Sequence, residues 1–163
     1  MDILEKMRLD GKRGFVTGGA RGIGKATALG FAQAGADVAI VDIDIEEAEK
    51  TAAYIAEQSG RKGIAIQADC TVEEDVIAMV DRVVEELGGL DFCHANAGIC
   101  INEKADRMSY DQWFKVINVN LNGVFLTDKY AGLSMLDHGG GSIINTASMS
   151  GHIVNVPQPQ CAY

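Results

Sequence analysis

Hydrophobic positions in this chain fall into short apolar runs separated by longer stretches with helical periodicity. The runs Arg13–Thr17, Asp37–Asp42, Lys62–Gln67, Leu90–His94 and Ser142–Thr146 are each short enough for one buried strand. After the first run, Ile23, Ala26, Leu29, Gly30 and Ala34 recur at the spacing of a helix. A second helix is predicted from about Ile45 to Ser59. Thr71-Val72-Glu73-Glu74 reads as a capping box opening a third helix, which runs to about Leu87 and ends at Gly88-Gly89. Ser109-Tyr110-Asp111-Gln112 is a further N-terminal signal. It starts one long helix whose apolar positions run from Trp113 through Val116, Ile117, Val124, Phe125 and Leu126 to Met135. Gly139-Gly140-Gly141 breaks that helix before the last strand.

Strands alternating with helices imply a parallel sheet covered on both faces. Right-handed crossovers then make a doubly wound α/β fold the natural solution, with one domain over residues 1–163. In such a sheet, ligands sit at the carboxyl ends of the strands. Thr17-Gly18-Gly19-Ala20-Arg21-Gly22-Ile23-Gly24, Asp42, Asp69, Asn96 and Ser148 all fall there.

The glycine run lies between the first strand and the first long helix, which makes it an anion site. Free backbone N–H groups and the helix dipole both favour a pyrophosphate. Gly18 permits the tight turn, and Gly22 and Gly24 allow close backbone approach. The spacing is G-x-x-x-G-x-G. Asp42 ends the second strand 18 positions after Gly24, close to the distance expected for an acid that binds the adenosine ribose. A carboxylate there accepts from both ribose hydroxyls and repels a 2′-phosphate, so NAD is the expected cofactor. Arg21 keeps NADP open, because a guanidinium in the turn favours that phosphate.

The net charge of −9 argues against nucleic acid and anionic membrane as partners. No apolar stretch approaches the ~20 residues of a transmembrane helix, and the charged opening Met1–Lys6 does not read as a secretory leader. A cytoplasmic, reducing location is expected. The cysteines Cys70, Cys93, Cys100 and Cys161 form no C-x-x-C pair, and Cys93, His94 and Cys100 match no common zinc spacing, so no metal is expected.

Four motifs in order make the chain resemble a short-chain dehydrogenase/reductase: Thr17 to Gly24; Ala95-Asn96-Ala97-Gly98; Val119-Asn120-Leu121-Asn122-Gly123-Val124-Phe125; and Ser142 to Ser148 leading to Tyr163. The resemblance implies a Rossmann fold and a dinucleotide cofactor held by Gly18, Ala20, Arg21, Gly22, Ile23 and Gly24, with Asp42 on the ribose. It implies Asp69 and Cys70 at the adenine, and Asn96, Ala97 and Gly98 bracing the sheet beside the ribose. Asn120 takes the place of an asparagine that bends the long helix and holds a relay water, with Asn118 as its rival. Ser148 would hold the substrate oxygen, with Ser150 as its rival, and Tyr163 would be the general acid/base.

The segment from Met149 to Ala162 is similar to the branch acting on sugar alcohols. His152, Asn155 and Gln158 are then candidates to line a polyol pocket, or are loop residues satisfied by water. The resemblance implies an NAD(P)-dependent oxidoreductase acting on a small alcohol, ketone or polyol and assembling as a homo-oligomer.

A free tyrosine is only about one part in a thousand phenolate at neutral pH. The family lowers that pKa with a lysine four positions after the tyrosine, whereas this sequence ends at Tyr163. Two expectations follow. The chain belongs to a polyol dehydrogenase whose remaining strands lie beyond Tyr163, or it is a truncated, non-catalytic fragment that binds at most the adenosine half of the cofactor.

Overall fold

The computed structural model describes residues 2–151. Five parallel strands form one sheet in the order β3-β2-β1-β4-β5. They are β1 (Arg13–Thr17), β2 (Asp37–Asp42), β3 (Gly63–Gln67), β4 (Phe92–Ala95) and β5 (Ser142–Asn145). After a short α1 (Ile3–Lys6), the crossover helices are α2 (Gly22–Gln33), α3 (Ile45–Ser59) and α4 (Glu73–Leu87). The last crossover is α5 (Tyr110–Ile117), a π-helical turn at Asn118–Gly123, and α6 (Val124–Asp137).

Each strand sends alternate side chains to opposite faces. Val16, Val38, Ile40 and Phe92 pack with Ala28, Ala32, Ala48, Ala52 and Ile55 of α2 and α3. Phe15, Ala39, Val41, Ile66 and Cys93 pack with Val76, Met79, Val80 and Val83 of α4 and with Ala131 and Met135 of α6. This is the expected doubly wound fold. The order reverses after β3, where β4 returns to the other side of β1, and the crevice at that switch is the natural ligand site.

Several local expectations are corrected. The buried stripe of α2 is Gly24, Ala28 and Ala32, whereas Ile23 and Ala26 are exposed. The small residues let the helix lie close on the sheet: a Cβ at Gly24 would collide with the Gly18 carbonyl oxygen. Thr71 is no N-cap. Its hydroxyl turns back to Asp69 Oδ1 at 2.7 Å, and Val72 starts α4 without a side-chain cap.

Ser109 does form the capping box, its Oγ accepting from Gln112 N–H while Gln112 Oε1 accepts from Ser109 N–H. The long helix predicted after it runs on from Tyr110 to Asp137, with a π-helical turn at Asn118–Gly123 that carries Asn120. β4 begins at Phe92, because Asp91 is already spent as a clasp: its carboxylate accepts from Lys12 Nζ at 2.8 Å and from Arg13 N–H at 3.0 Å.

No helix among the described residues is long and apolar enough to cross a membrane. Tyr110, Trp113 and Phe114 on α5, and Phe125, Leu133 and Leu136 on α6, are exposed.

Candidate functional site

A cleft of about 690 Å³ opens at the carboxyl edge of the sheet, where β1, β2, β3 and β4 end. Its walls include Gly18, Arg21, Gly22, Ile23 and Gly24 from the glycine loop, Asp42 and Ile43 after β2, and Asp69, Cys70 and Thr71 after β3. Asn96, Ala97, Gly98 and Ile99 follow β4, Lys115 and Val119 come from the last crossover, and Thr146 follows β5. A smaller hollow of about 400 Å³ between α4 and α6, walled by Ile77, Val80, Tyr130 and Leu133, lies away from every candidate residue.

Close contacts set the glycine loop. Gly18 has φ +60°, and a Cβ there would stand 2.9 Å from Ala97 Cα. Gly22 has φ +58°, yet a Cβ there would meet nothing within 4 Å. The first glycine is therefore needed by the protein's own packing, whereas a Cβ at the second would face open space. Thr51, fully buried on α3, donates from Oγ1 to the Ala20 carbonyl at 2.6 Å. The Gly19 N–H donates to Val41 O at 3.1 Å.

Asp42 is half-buried at the end of β2. Its Oδ2 accepts from Ala20 N–H at 3.1 Å and its Oδ1 from Asp44 N–H at 3.1 Å. Ala20 thus serves the site through its backbone and is not itself a wall of the cleft. The guanidinium of Arg21 is paired with Asp44, which also caps α3 through Glu47 N–H.

Across the cleft, Asp69 Oδ1 accepts from the N–H and hydroxyl of Thr71. Cys70 is buried, and that burial pushes its thiol up to about 11 despite hydrogen bonds with Thr127 and Thr17. Cys70 is thus an uncharged packing group, and Gly123 rests on it: a Cβ there would stand 3.3 Å from Cys70 Cβ.

Thr17 and Asn96 knit β1 to the chain after β4. The Thr17 hydroxyl accepts from the N–H groups of Asn96 and Ala97, both at 3.0 Å. Asn96 Nδ2 donates to Thr17 O at 3.1 Å and to Gly18 O at 3.4 Å.

Asn120 sits in the π-helical turn and is not in the cleft wall. Its side chain is bound on both sides to the backbone of Ile99. Asn118 Oδ1 instead accepts from Asn122 Nδ2 at 2.9 Å. Ser148 is exposed outside the cleft wall, its Oγ accepting from Ser150 N–H at 3.1 Å. Tyr163, His152, Asn155 and Gln158 lie outside the described residues.

Cys93 and His94 face opposite sides of the sheet and Cys100 is exposed, so alternation along β4 keeps the first two off a shared metal. Wall residues absent from the site expectations are Val41, Ile43, Ala68, Thr71, Ile99, Lys115, Val119 and Thr146. Of these, Val119 and Thr146 lie within the motifs that carry the family resemblance.

The comparisons agree with this geometry. A family model described as short chain dehydrogenase matches residues 12–163. The "Probable NADP-dependent mannitol dehydrogenase" of Yarrowia lipolytica is 39% identical over 164 residues, spanning 99% of this chain and 59% of its own length. A crystal structure of a short-chain type dehydrogenase/reductase from Mycobacterium marinum superposes with a TM-score of 0.95 at 41% identity, covering 99% of this chain and 65% of that one. An NAD⁺-bound xylitol dehydrogenase gives a TM-score of 0.88 at 36% identity, covering 94% of this chain and 58% of that one. The chain therefore spans about three fifths of the length of the proteins it matches. The switch-point cleft, its glycine loop and these matches together make the chain a member of the short-chain dehydrogenase family.

Proposed function

We propose that this chain forms the cofactor-binding part of an NAD(P)-dependent oxidoreductase that interconverts a secondary alcohol or polyol and its ketone. The observation that carries this reading is the cleft itself. It joins a glycine loop whose Gly22 faces open space to a carboxylate, Asp42, at the end of the neighbouring strand. The residues present fit a nicotinamide dinucleotide. Gly18, Ala20, Arg21, Gly22, Ile23 and Gly24 would hold the pyrophosphate, and Asp42 the adenosine ribose. Asp69 and Cys70 would flank the adenine, and Asn96, Ala97 and Gly98 would border the ribose.

NAD is the favoured form. The Asp42 carboxylate repels a 2′-phosphate, and Arg21, the group that would welcome one, is already paired with Asp44. The bound nicotinamide would supply hydride transfer. For the chain's own residues, Ser148 would orient the substrate oxygen and Tyr163 would exchange the hydroxyl proton. Asn120 would fix the helix turn on which that proton path depends. His152, Asn155 and Gln158 would offer hydrogen bonds to a polyol. The exposed aromatic and aliphatic side chains of α5 and α6 favour assembly with a second copy.

A second reading, cofactor binding without turnover, is favoured by Ser148 lying outside the cleft wall with its oxygen engaged by Ser150. An absorbance assay separates the two. The chain is incubated with NAD or NADP and a panel of polyols, and with NADH or NADPH and the matching ketoses. Turnover with a polyol supports the first reading. Binding of cofactor with no turnover on any panel member supports the second.

A further inference from the structure

On the sheet face covered by α2, the His94 ring is 5% exposed and both its nitrogens are engaged. Nδ1 lies 3.2 Å from Thr27 Oγ1, and Nε2 lies 2.9 Å from Thr146 Oγ1. The Thr146 hydroxyl donates to Asn96 Oδ1 at 3.1 Å. Asn96 Nδ2 then donates to the carbonyls of Thr17 and Gly18. One hydrogen-bonded series thus runs from α2, through β4, to the first glycine of the cofactor loop.

Counting protons gives the series a direction. The two carbonyls fix the Asn96 amide, because a flipped amide would set oxygen against oxygen. Asn96 Oδ1 can only accept, so the single proton of Thr146 is committed to it. Thr146 must then accept from His94, which requires a proton on Nε2. A neutral imidazole has one such proton, so Nδ1 is bare and accepts from the Thr27 hydroxyl.

The carbonyls of Ile23 and Gly24, each 3.0 Å from that hydroxyl, keep their own helical N–H partners. The opposite tautomer turns the Thr146 proton toward His94 and strips Asn96 Oδ1 of its donor. His94 is buried and Asn96 half-buried, and a half-satisfied network there is costly.

We infer that His94 is a positioning residue for the cofactor cleft. Held as the uncharged Nε2–H tautomer, it fixes Thr146 and Asn96 beneath Gly18 and so sets the loop that receives the pyrophosphate. The inference rests on the dinucleotide reading of the cleft. The ring's surroundings favour the uncharged form: Thr27 and the edge-on Phe31 of α2, Val16 of β1, Ile144 of β5 and Thr146. Among the described residues no charged side chain bears on it, and burial lowers its pKa.

Two measurements test this. Long-range ¹⁵N–¹H spectra of the ¹⁵N-labelled chain at neutral pH are expected to show His94 as Nε2–H. In Thr146→Val, which removes the acceptor, they are expected to show a shift to Nδ1–H. An Nδ1–H ring in the parent, or no shift in Thr146→Val, overturns the inference.

Binding of NADH, followed by its fluorescence, is the second readout. His94→Phe, which keeps the buried ring but breaks the series, is expected to weaken binding about tenfold. His94→Gln, which restores a donor toward Thr146, is expected to recover most of it. Parent-like binding by His94→Phe overturns the inference alone. A parent chain that binds no NADH overturns the dinucleotide reading, and the inference with it. Should His94→Phe not fold, the Thr146→Val spectrum decides.

Discussion

The side-chain amide of Asn120 holds the backbone of Ile99 from both sides. Its Oδ1 accepts from the Ile99 N–H at 2.8 Å, and its Nδ2 donates to the Ile99 carbonyl at 2.9 Å. Ile99 follows the Asn96-Ala97-Gly98 turn, and Asn120 lies in the π-helical turn between α5 and α6. The pair therefore joins the cleft wall after β4 to the helix that crosses to β5. π-helical turns inside helices are frequent at functional sites.

Asn120→Leu should lose both bonds and leave two part-buried backbone groups unpaired. With each bond contributing about 0.5–1.5 kcal/mol, the loss should be about 1–3 kcal/mol, read from the urea midpoint at constant m-value. Asn120→Asp keeps the acceptor and should lose less. Equal stability for all three proteins would remove Asn120 from this role.

Gly24 and Gly22 should respond differently to the same methyl. In Gly24→Ala the new Cβ would collide with the Gly18 carbonyl and sit 2.8 Å from Asn96 Nδ2. The loop must move, so cofactor binding should be lost together with stability. In Gly22→Ala the methyl meets no protein atom, and the cost is the left-handed backbone, about 1 kcal/mol. That variant should fold with a small drop in Tm, yet bind dinucleotide poorly because the methyl occupies phosphate space. Unchanged binding in Gly22→Ala would place the pyrophosphate elsewhere.

Asp42→Asn should shift the preference between NAD and NADP while keeping an acceptor near Ala20. Removing the carboxylate charge is expected to change the ratio of the two Kd values about tenfold toward NADP, a difference near 1.4 kcal/mol. Adding Asp44→Ala, which frees Arg21 from its ion pair, should extend the shift. A ratio that does not move with either change would mean that Asp42 does not face the ribose.

Much of this was legible in the sequence. Strand and helix alternation gave the sheet, because buried parallel strands are short apolar runs and their crossovers carry helical periodicity. The glycine run, Asp42 and Asn96 were identifiable because each serves the backbone of a motif with fixed spacing. The buried stripe of α2 was hidden, since its contacts are made by Gly24, Ala28 and Ala32, residues too small to stand out by hydrophobicity. Thr71 misled because an Asp two positions earlier competes for its hydroxyl. The π-helical turn at Asn118–Gly123 was invisible to periodicity, and the bonds of its Asn120 to Ile99 are long-range. Lys115 and Ile43 reach the cleft through chain geometry alone.

Acid should destabilise the fold partly through His94. Burial holds its folded pKa below the ordinary 6.5. Between that ordinary value and the lowered one, the unfolded chain binds more protons than the native one. Stability should therefore be full above about pH 6.5 and fall as pH decreases through the window down to the depressed pKa. In His94→Phe this contribution should vanish, flattening the urea midpoint against pH there. An identical pH dependence in parent and variant would show that His94 titrates the same way folded and unfolded.

Thiol reactivity should divide the described cysteines. Cys100 is exposed, whereas burial pushes the Cys70 and Cys93 thiols up to about 11 and about 12. At pH 8, iodoacetamide followed by peptide mass mapping should label Cys100 within minutes and leave the other two intact until denaturant is added. Native-state labelling of Cys70 would contradict its packing under Gly123.

The cleft at the carboxyl edge of the sheet is proposed to receive the adenosine and pyrophosphate half of a nicotinamide dinucleotide. Calorimetric titration with ADP-ribose, repeated on Gly24→Ala, tests it most directly. One saturable site in the parent, competed by NAD and absent in Gly24→Ala, is the predicted result. No heat or competition at millimolar ligand in the folded parent, or equal binding by Gly24→Ala, would contradict it.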